Sequence, residues 1–198
     1  GKFCFAILSI FLFLQGIYPT TNLSTNSIMP VIRESNYEAP YLLYNQHIAT
    51  LLPNLMRWVT SVKYEEERID LEDGDFLDLC WSAVGSDRLI VVTHGLGGDS
   101  SKPYVKGIVR AFNQQGWDAV AWNLRGAGKE PNRLPRYYHG GDTPDLHAVI
   151  FHAIQKNNYK KVSLIGFSLG GNITARYLGE KGYDVLPQIT SSVVVSAP

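Results

Sequence analysis

The sequence predicts an α/β fold, a mostly parallel sheet entered through an antiparallel β-hairpin. Three observations carry that expectation. Four continuous apolar runs, Leu89 to Thr93, Ala119 to Trp122, Val162 to Ile165 and Val193 to Val195, suit strands buried on both faces. Helix-length segments alternate with them, roughly Pro103 to Gln115, Thr143 to Lys156 and Leu169 to Lys181. Ahead of all of these, two β-prone runs, Tyr64 to Leu71 and Phe76 to Trp81, flank Glu72-Asp73-Gly74-Asp75, where an Asp-Gly pair signals a hairpin turn.

The bulk properties fit one compact domain. A chain of 198 residues, 45% hydrophobic, can bury a substantial core. Eighteen basic residues balance 18 acidic ones, so no global field draws the chain to nucleic acid, and none is expected as a partner. With Cys4 and Cys80 the only cysteines, a disulfide scaffold or cysteine-zinc site is disfavoured and both read as small buried hydrophobes. No H-E-x-x-H or clustered His/Asp pattern occurs, so no metal or other cofactor is expected.

The N-terminus stands apart. Phe3 to Leu14 is apolar and follows Lys2, but it is shorter than the ~20 residues a bilayer span requires and suits a secretory h-region better. Pro19 to Ser27 is rich in Thr, Asn and Ser and reads as a linker, with a glycosylation triplet at Asn22-Leu23-Ser24. Met29-Pro30 directly precedes the first globular pattern. Residues 1–28 are therefore expected to be a signal, an anchor or foreign sequence, and residues 29–198 the domain. A start at Met29 implies a cytoplasmic protein; an anchor implies membrane contact through residues 3–18. The sequence says nothing of oligomeric state. Further along, Gly116 and Gly182 sit just past two predicted helices, where left-handed closing residues are expected.

Gly166-Phe167-Ser168-Leu169-Gly170 follows the run Val162 to Ile165 and opens the helical segment ending at Lys181. A G-x-S-x-G string arises by chance in about one in ten chains of this length. The strand before it and the helix after it carry the weight, because a serine on a sharp strand-to-helix turn occupies strained backbone space. Glycines on either side let neighbouring backbone approach it. Ser168 is thus the candidate catalytic nucleophile. His94-Gly95-Leu96-Gly97-Gly98 follows the run Leu89 to Thr93, at the place of an oxyanion loop. The backbone N–H groups of Leu96 and Leu169 are the candidate oxyanion-hole donors. His94 is expected to serve in structural hydrogen bonding. His47, His139, His147 and His152 also precede Ser168 and no histidine follows it, whereas this type of site takes its acid and histidine after the serine. Asp184 reads as a loop residue and Glu180 as a helix-surface charge.

Taken together these residues resemble the YheT-like group of α/β-hydrolases, esterases related to the mammalian α/β-hydrolase-domain lipases. The likeness runs from Asn45, His47, Thr50 and Pro53 through Gly74-Asp75-Phe76 and Trp81 to the 94–98 loop. It continues in Pro103-Tyr104, Arg125-Gly126, Glu130 to Arg133, Arg136, Tyr138-His139 and Gly141 to the stretch from Gly166 to Asn172. The resemblance covers roughly Met29 to Pro198. It implies an α/β-hydrolase fold and a serine hydrolase acting on a small-molecule or lipid ester, without a cofactor. It also implies that the triad's acid and histidine lie beyond residue 198, so that residues 1–198 alone are expected to be inactive. An acyltransferase using the same serine, or a non-catalytic module of the same fold, fits the same residues. Arg125, Asn132, Arg133 and Tyr138 read as a polar segment that shapes the pocket or serves in structural hydrogen bonding.

Overall fold

A computed structural model describes residues 59–198 and, before them, Asn45, Ile48 and Ala49. The N-terminal apolar run, Cys4 and His47 lie outside the described residues. The chain divides into two units, Gly1–Arg57 and Trp58–Pro198. In the first, the Ala49 N–H donates to the Asn45 carbonyl at 2.8 Å, one turn of helix.

The second unit is a six-stranded sheet flanked by three helices. Its strands are β1 (Glu65–Asp70), β2 (Phe76–Ser82), β3 (Arg88–Thr93), β4 (Asp118–Trp122), β5 (Lys161–Phe167) and β6 (Ile189–Val195), in the order β1-β2-β4-β3-β5-β6. β2 pairs antiparallel with both β1 and β4, and the pairs β3–β4, β3–β5 and β5–β6 are parallel. The parallel set therefore ends at one edge, and both glycine-rich turns leave from that edge. The predicted hairpin forms, with Gly74 at φ +86° in its turn.

Helix α1 (Pro103–Asn113) starts with proline in its first turn and buries Val105, Ile108, Val109 and Phe112, an i, i+3, i+4, i+7 stripe. Helix α2 (Thr143–Asn157) repeats that spacing with Leu146, Val149, Ile150 and Ala153. Helix α3 (Leu169–Lys181) buries Ile173 and Tyr177. The odd-numbered residues Leu77, Leu79 and Trp81 of β2 join Val91, Val120 and Trp122 in one core with α2 and α3. The alternate residues Ile90, Val92, Ala119 and Ala121 point to the opposite face, where α1 packs on β3 and β4. Full burial of each of the Val, Leu, Ile and Phe side chains among them stabilises the fold by about 1.5–3 kcal/mol.

Helix closure differs in part from expectation. Gly116 does adopt φ +71° after α1, and α2 closes on Asn158, left-handed at φ 50° and ψ 43°. Gly182, however, combines φ 51° with ψ −117°, outside the left-handed helical well, and leads into a 3-10 turn, Gly182–Asp184. Among the described residues, no helix is long and apolar enough to cross a membrane.

Candidate active site

Between β5 and α3 the backbone turns on one residue. Ser168 has φ 49° and ψ −118°, a conformation that costs an L-residue about 1–3 kcal/mol and persists only where the surroundings impose it. They do so at both ends: the Ser168 N–H donates to the Val195 carbonyl of β6 at 2.8 Å, and its own carbonyl accepts the first helical bond from Asn172 at 3.0 Å. The glycines flanking it answer a packing demand. A Cβ on Gly166 would lie 2.6 Å from Thr174 Oγ1, and one on Gly170 would lie 2.5 Å from the Thr93 carbonyl oxygen. Helix α3 is thus seated directly on the end of β3, and the Ser168 side chain stays exposed.

The loop after β3 comes to the same place. A Cβ on Gly95 would sit 3.2 Å from Ser168 Cβ. Gly95 to Gly98 form a β-turn closed by Gly98 N–H to the Gly95 carbonyl at 3.0 Å, with Gly97 at φ +65°, a left-handed position glycine supplies without strain. Leu96 stands at the tip, 75% exposed. Its N–H has no protein acceptor among the described residues. The Leu169 N–H, at the first position of α3, has no intrahelical partner either, and with the amides of the next two residues it presents the positive end of the helix. Two uncommitted amides and a serine hydroxyl therefore share one corner.

His94 holds that corner together and is fully buried. Its Nε2 accepts the Leu124 N–H at 3.1 Å, which places the ring proton on Nδ1, 2.8 Å from the Gly95 carbonyl it donates to. Burial lowers its pKa, keeping the ring neutral as both bonds require. The structural role expected for His94 is the one its contacts show. The loops after β3 and β4 are further tied by Ser100 N–H to Asn123 Oδ1, 2.8 Å, and Gly97 N–H to the Tyr138 hydroxyl, 2.9 Å.

Behind the β4 loop lies a buried polar hub. Arg125, 3% exposed, donates bidentately to Asp145 at 2.7 and 2.8 Å and through Nη1 to Asp73 at 2.7 Å and Asp75 at 3.1 Å. Hydrogen bonding to Asp145 raises the Arg125 pKa against the opposing effect of burial. Burial would raise Asp75, but Asn132, the Arg133 and Phe76 amides and Arg125 together hold its carboxyl below the usual range. The contacts of the segment 125–138 are those of structural hydrogen bonding, made mostly to the hairpin and α2, and Tyr138 also touches the 94–98 turn. Sequence reasoning missed the partner carboxylates, 20 to 52 residues away, and the role of Tyr104, whose hydroxyl accepts the Gly95 N–H at 3.0 Å.

A hollow of about 490 Å³ opens beside Leu96, lined by Gly97, Gly98, Asp99, Gly126, Ala127, Tyr137 and Tyr138. Two larger hollows, about 600 and 590 Å³, lie over the β1–β2 pair and beside α2; Ser168 lines none of the three, and of them the 490 Å³ hollow is the one that borders the 94–98 turn. Size does not locate the chemistry; uncommitted donors do. Cys80 is buried 3.1 Å from Ser100 Oγ, and Glu180 is a helix-surface carboxylate bonded to Thr143 and Arg176.

The sequence profile of the alpha/beta hydrolase fold matches residues 88–198. The protein YheT of Escherichia coli (strain K12), named as a candidate esterase, is 39% identical over 159 residues, covering 78% of this chain and 46% of that protein. Phospholipase ABHD3 of Mus musculus is 29% identical over 162 residues, covering 77% of this chain and 39% of that protein. Among solved structures, the Pyrococcus furiosus esterase Pf2001 superposes with a TM-score of 0.59 at 25% identity, covering 71% of this chain and 55% of that one. The chain spans about half or less of the length of the curated relatives it matches.

Proposed function

The chain belongs to the α/β-hydrolase family, in its YheT-like group, and on that footing we propose that it acts as a serine hydrolase on carboxylic esters, with Ser168 as nucleophile. The observation that carries this reading is the corner just described: a serine held at φ 49° beside two amides that have no acceptor among the described residues. The Ser168 Oγ attacks the ester carbonyl carbon while a base takes its proton. The carbonyl oxygen, now negative, accepts from the N–H groups of Leu96 and Leu169. Collapse of the tetrahedral intermediate expels the alcohol, which regains a proton, and leaves acyl-Ser168; water, giving a proton to the base, attacks the acyl carbon, the bond to Oγ breaks, the carboxylic acid leaves and Oγ takes the proton back. Each such donor contributes about 3–4 kcal/mol to the transition state.

The base comes from outside the described residues. His94 is committed through both nitrogens, His147 bonds Tyr177 at 3.0 Å, His152 lies 3.2 Å from Glu67, and His139 Nδ1 accepts the Gly141 N–H at 3.0 Å. None has Ser168 among its partners. The exposed Leu96 and Tyr137, 75% and 78%, flank the 490 Å³ hollow, which borders the Leu96 turn rather than Ser168 itself, and give it an apolar mouth suited to the far end of an acyl chain or hydrophobic alcohol. The test is hydrolysis of a p-nitrophenyl short-chain ester by the full-length protein and by Ser168→Ala. The variant is expected to lose activity by on the order of 10⁴- to 10⁶-fold with its fold intact. Equal rates from both would remove Ser168 from the reaction, and no hydrolysis by the parent would favour a non-catalytic module.

A further inference from the structure

We propose that Tyr104 and Tyr138 are positioning residues that aim the Leu96 N–H at the oxyanion, by accepting the N–H groups of the residues on either side of it. The proposal rests on the reading of Ser168 as nucleophile and concerns how its oxyanion donor is fixed.

The turn from Gly95 to Gly98 is glycine at three of four positions, so its peptide planes can rotate at little steric cost. A donor on such a turn is well aimed only if those planes are held. Three successive peptides are held, each by a different group. The peptide joining His94 to Gly95 is held by its N–H, given to the Tyr104 hydroxyl at 3.0 Å. The next, joining Gly95 to Leu96, is held by its carbonyl, which accepts from His94 Nδ1 at 2.8 Å and Gly98 N–H at 3.0 Å. That carbonyl and the Leu96 N–H share one trans peptide and point in opposite directions, so fixing one fixes the other. The third, joining Leu96 to Gly97, is held by its N–H, given to the Tyr138 hydroxyl at 2.9 Å.

Of the four amides of the turn, those of Gly95, Gly97 and Gly98 are spent and that of Leu96 is left. Both tyrosines are themselves fixed to the site. The Tyr104 ring meets Phe167, the residue before Ser168, edge-on at 4.9 Å between centroids, and the Tyr138 ring meets His94 edge-on at 6.3 Å. A Cβ on Gly98 would come within 2.7 Å of the Tyr104 oxygen, so the glycine there makes room for the hydroxyl.

The experiment uses the full-length protein and its Tyr138→Phe variant, which keeps the ring and removes only the acceptor. Because the donor is loosened rather than lost, kcat on a p-nitrophenyl ester is expected to fall about tenfold with KM within twofold, less than the 10²–10³ that removing a donor costs. Affinity for an arylboronic acid, which mimics the tetrahedral state, should weaken by the same factor as kcat/KM. Amide hydrogen exchange at Gly97 should quicken about tenfold. Unchanged kcat, or a fall in kcat matched by a rise in KM and a drop in thermal midpoint, would overturn the assignment. If Ser168→Ala also keeps full activity, the nucleophile reading fails. Exchange at Gly97 then still decides the clamp, since an unchanged rate in Tyr138→Phe rejects it and a faster one supports it. Should Tyr138→Phe not fold, Tyr104→Phe carries the same predictions at Gly95.

Discussion

Arg125 and Ser168 sit at the same end of the sheet and are surrounded on opposite rules. Around Arg125, four N–H···O contacts reach three carboxylates, and Asp75 accepts further from Asn132 and the Arg133 and Phe76 amides. Around Ser168, the hydroxyl and the Leu96 and Leu169 amides donate to no group among the described residues, while the Gly95, Gly97 and Gly98 amides and the His94 ring beside them are tied down. Buried charge must be saturated to be tolerated, because removing water from it costs several kcal/mol unless partners replace the water. Donors meant for a substrate must be left unsaturated yet immobile. The hub anchors the loop from which Tyr138 reaches the site, so the saturated region holds the unsaturated one in place.

Breaking the hub is expected to give the largest effect on stability. Arg125→Leu leaves the buried carboxylates of Asp75 and Asp145 without their cation, while Asp73 keeps Arg136 at 3.5 Å, and should cost about 3–5 kcal/mol. Urea denaturation of parent and variant measures it, and a loss under 1 kcal/mol would mean the cluster is solvated in solution.

The same comparison predicts how the two regions respond to acid. The folded-state pKa values of Asp73 and Asp75 are lowered, so the stability they contribute is full above about pH 4, their ordinary unfolded value, and is lost as pH falls through the lowered folded values. His94 is also lowered, by burial. Its unfolded form binds a proton first, so its contribution is full above about pH 6.5 and declines as pH falls below that. Parent stability followed from pH 8 to 3 should show both limbs. In Arg125→Leu the limb below pH 4 should shrink or reverse while the His94 limb persists; loss of both together would show that the regions are not separable.

How far the sequence foretold each region follows from the range of the interactions. The turn at Ser168 is local: strand, glycine, serine, glycine and helix follow in ten residues, and the structure places them as read. The predicted strands all form, but the apolar pattern marks the last only from Val193 to Val195, whereas the strand begins at Ile189. Its first half, Ile189-Thr190-Ser191-Ser192, carries too few apolar residues to register as a buried run, yet Ser191 Oγ bonds Ser163 Oγ across the pair. The Arg125 ion pairs and the tyrosine hydroxyl bonds join residues from 9 to 52 positions apart, so no local spacing reveals them. What could have pointed to them was chemistry: arginine in a chain segment bound for burial needs carboxylates, and a turn of glycines with a job to do needs acceptors.

The smallest predicted effect isolates the strain at the turn itself. Ser168→Gly removes the cost of a Cβ at φ 49° while deleting the hydroxyl, so the variant should be more stable than the parent by about 1 kcal/mol, less any gain in unfolded-chain entropy. Thermal denaturation of the two reads the difference. A variant less stable than the parent would show that the serine side chain, rather than the surrounding packing, maintains the turn.

The most direct test of the central claim is covalent. The full-length protein is treated with a fluorophosphonate, which phosphonylates an activated serine with loss of fluoride, and the adduct is mapped by peptide mass spectrometry. The account predicts one modified residue, Ser168, and no adduct in Ser168→Ala. An adduct that survives in that variant, or hydrolysis of esters by a protein in which Ser168 stays unmodified, would contradict it.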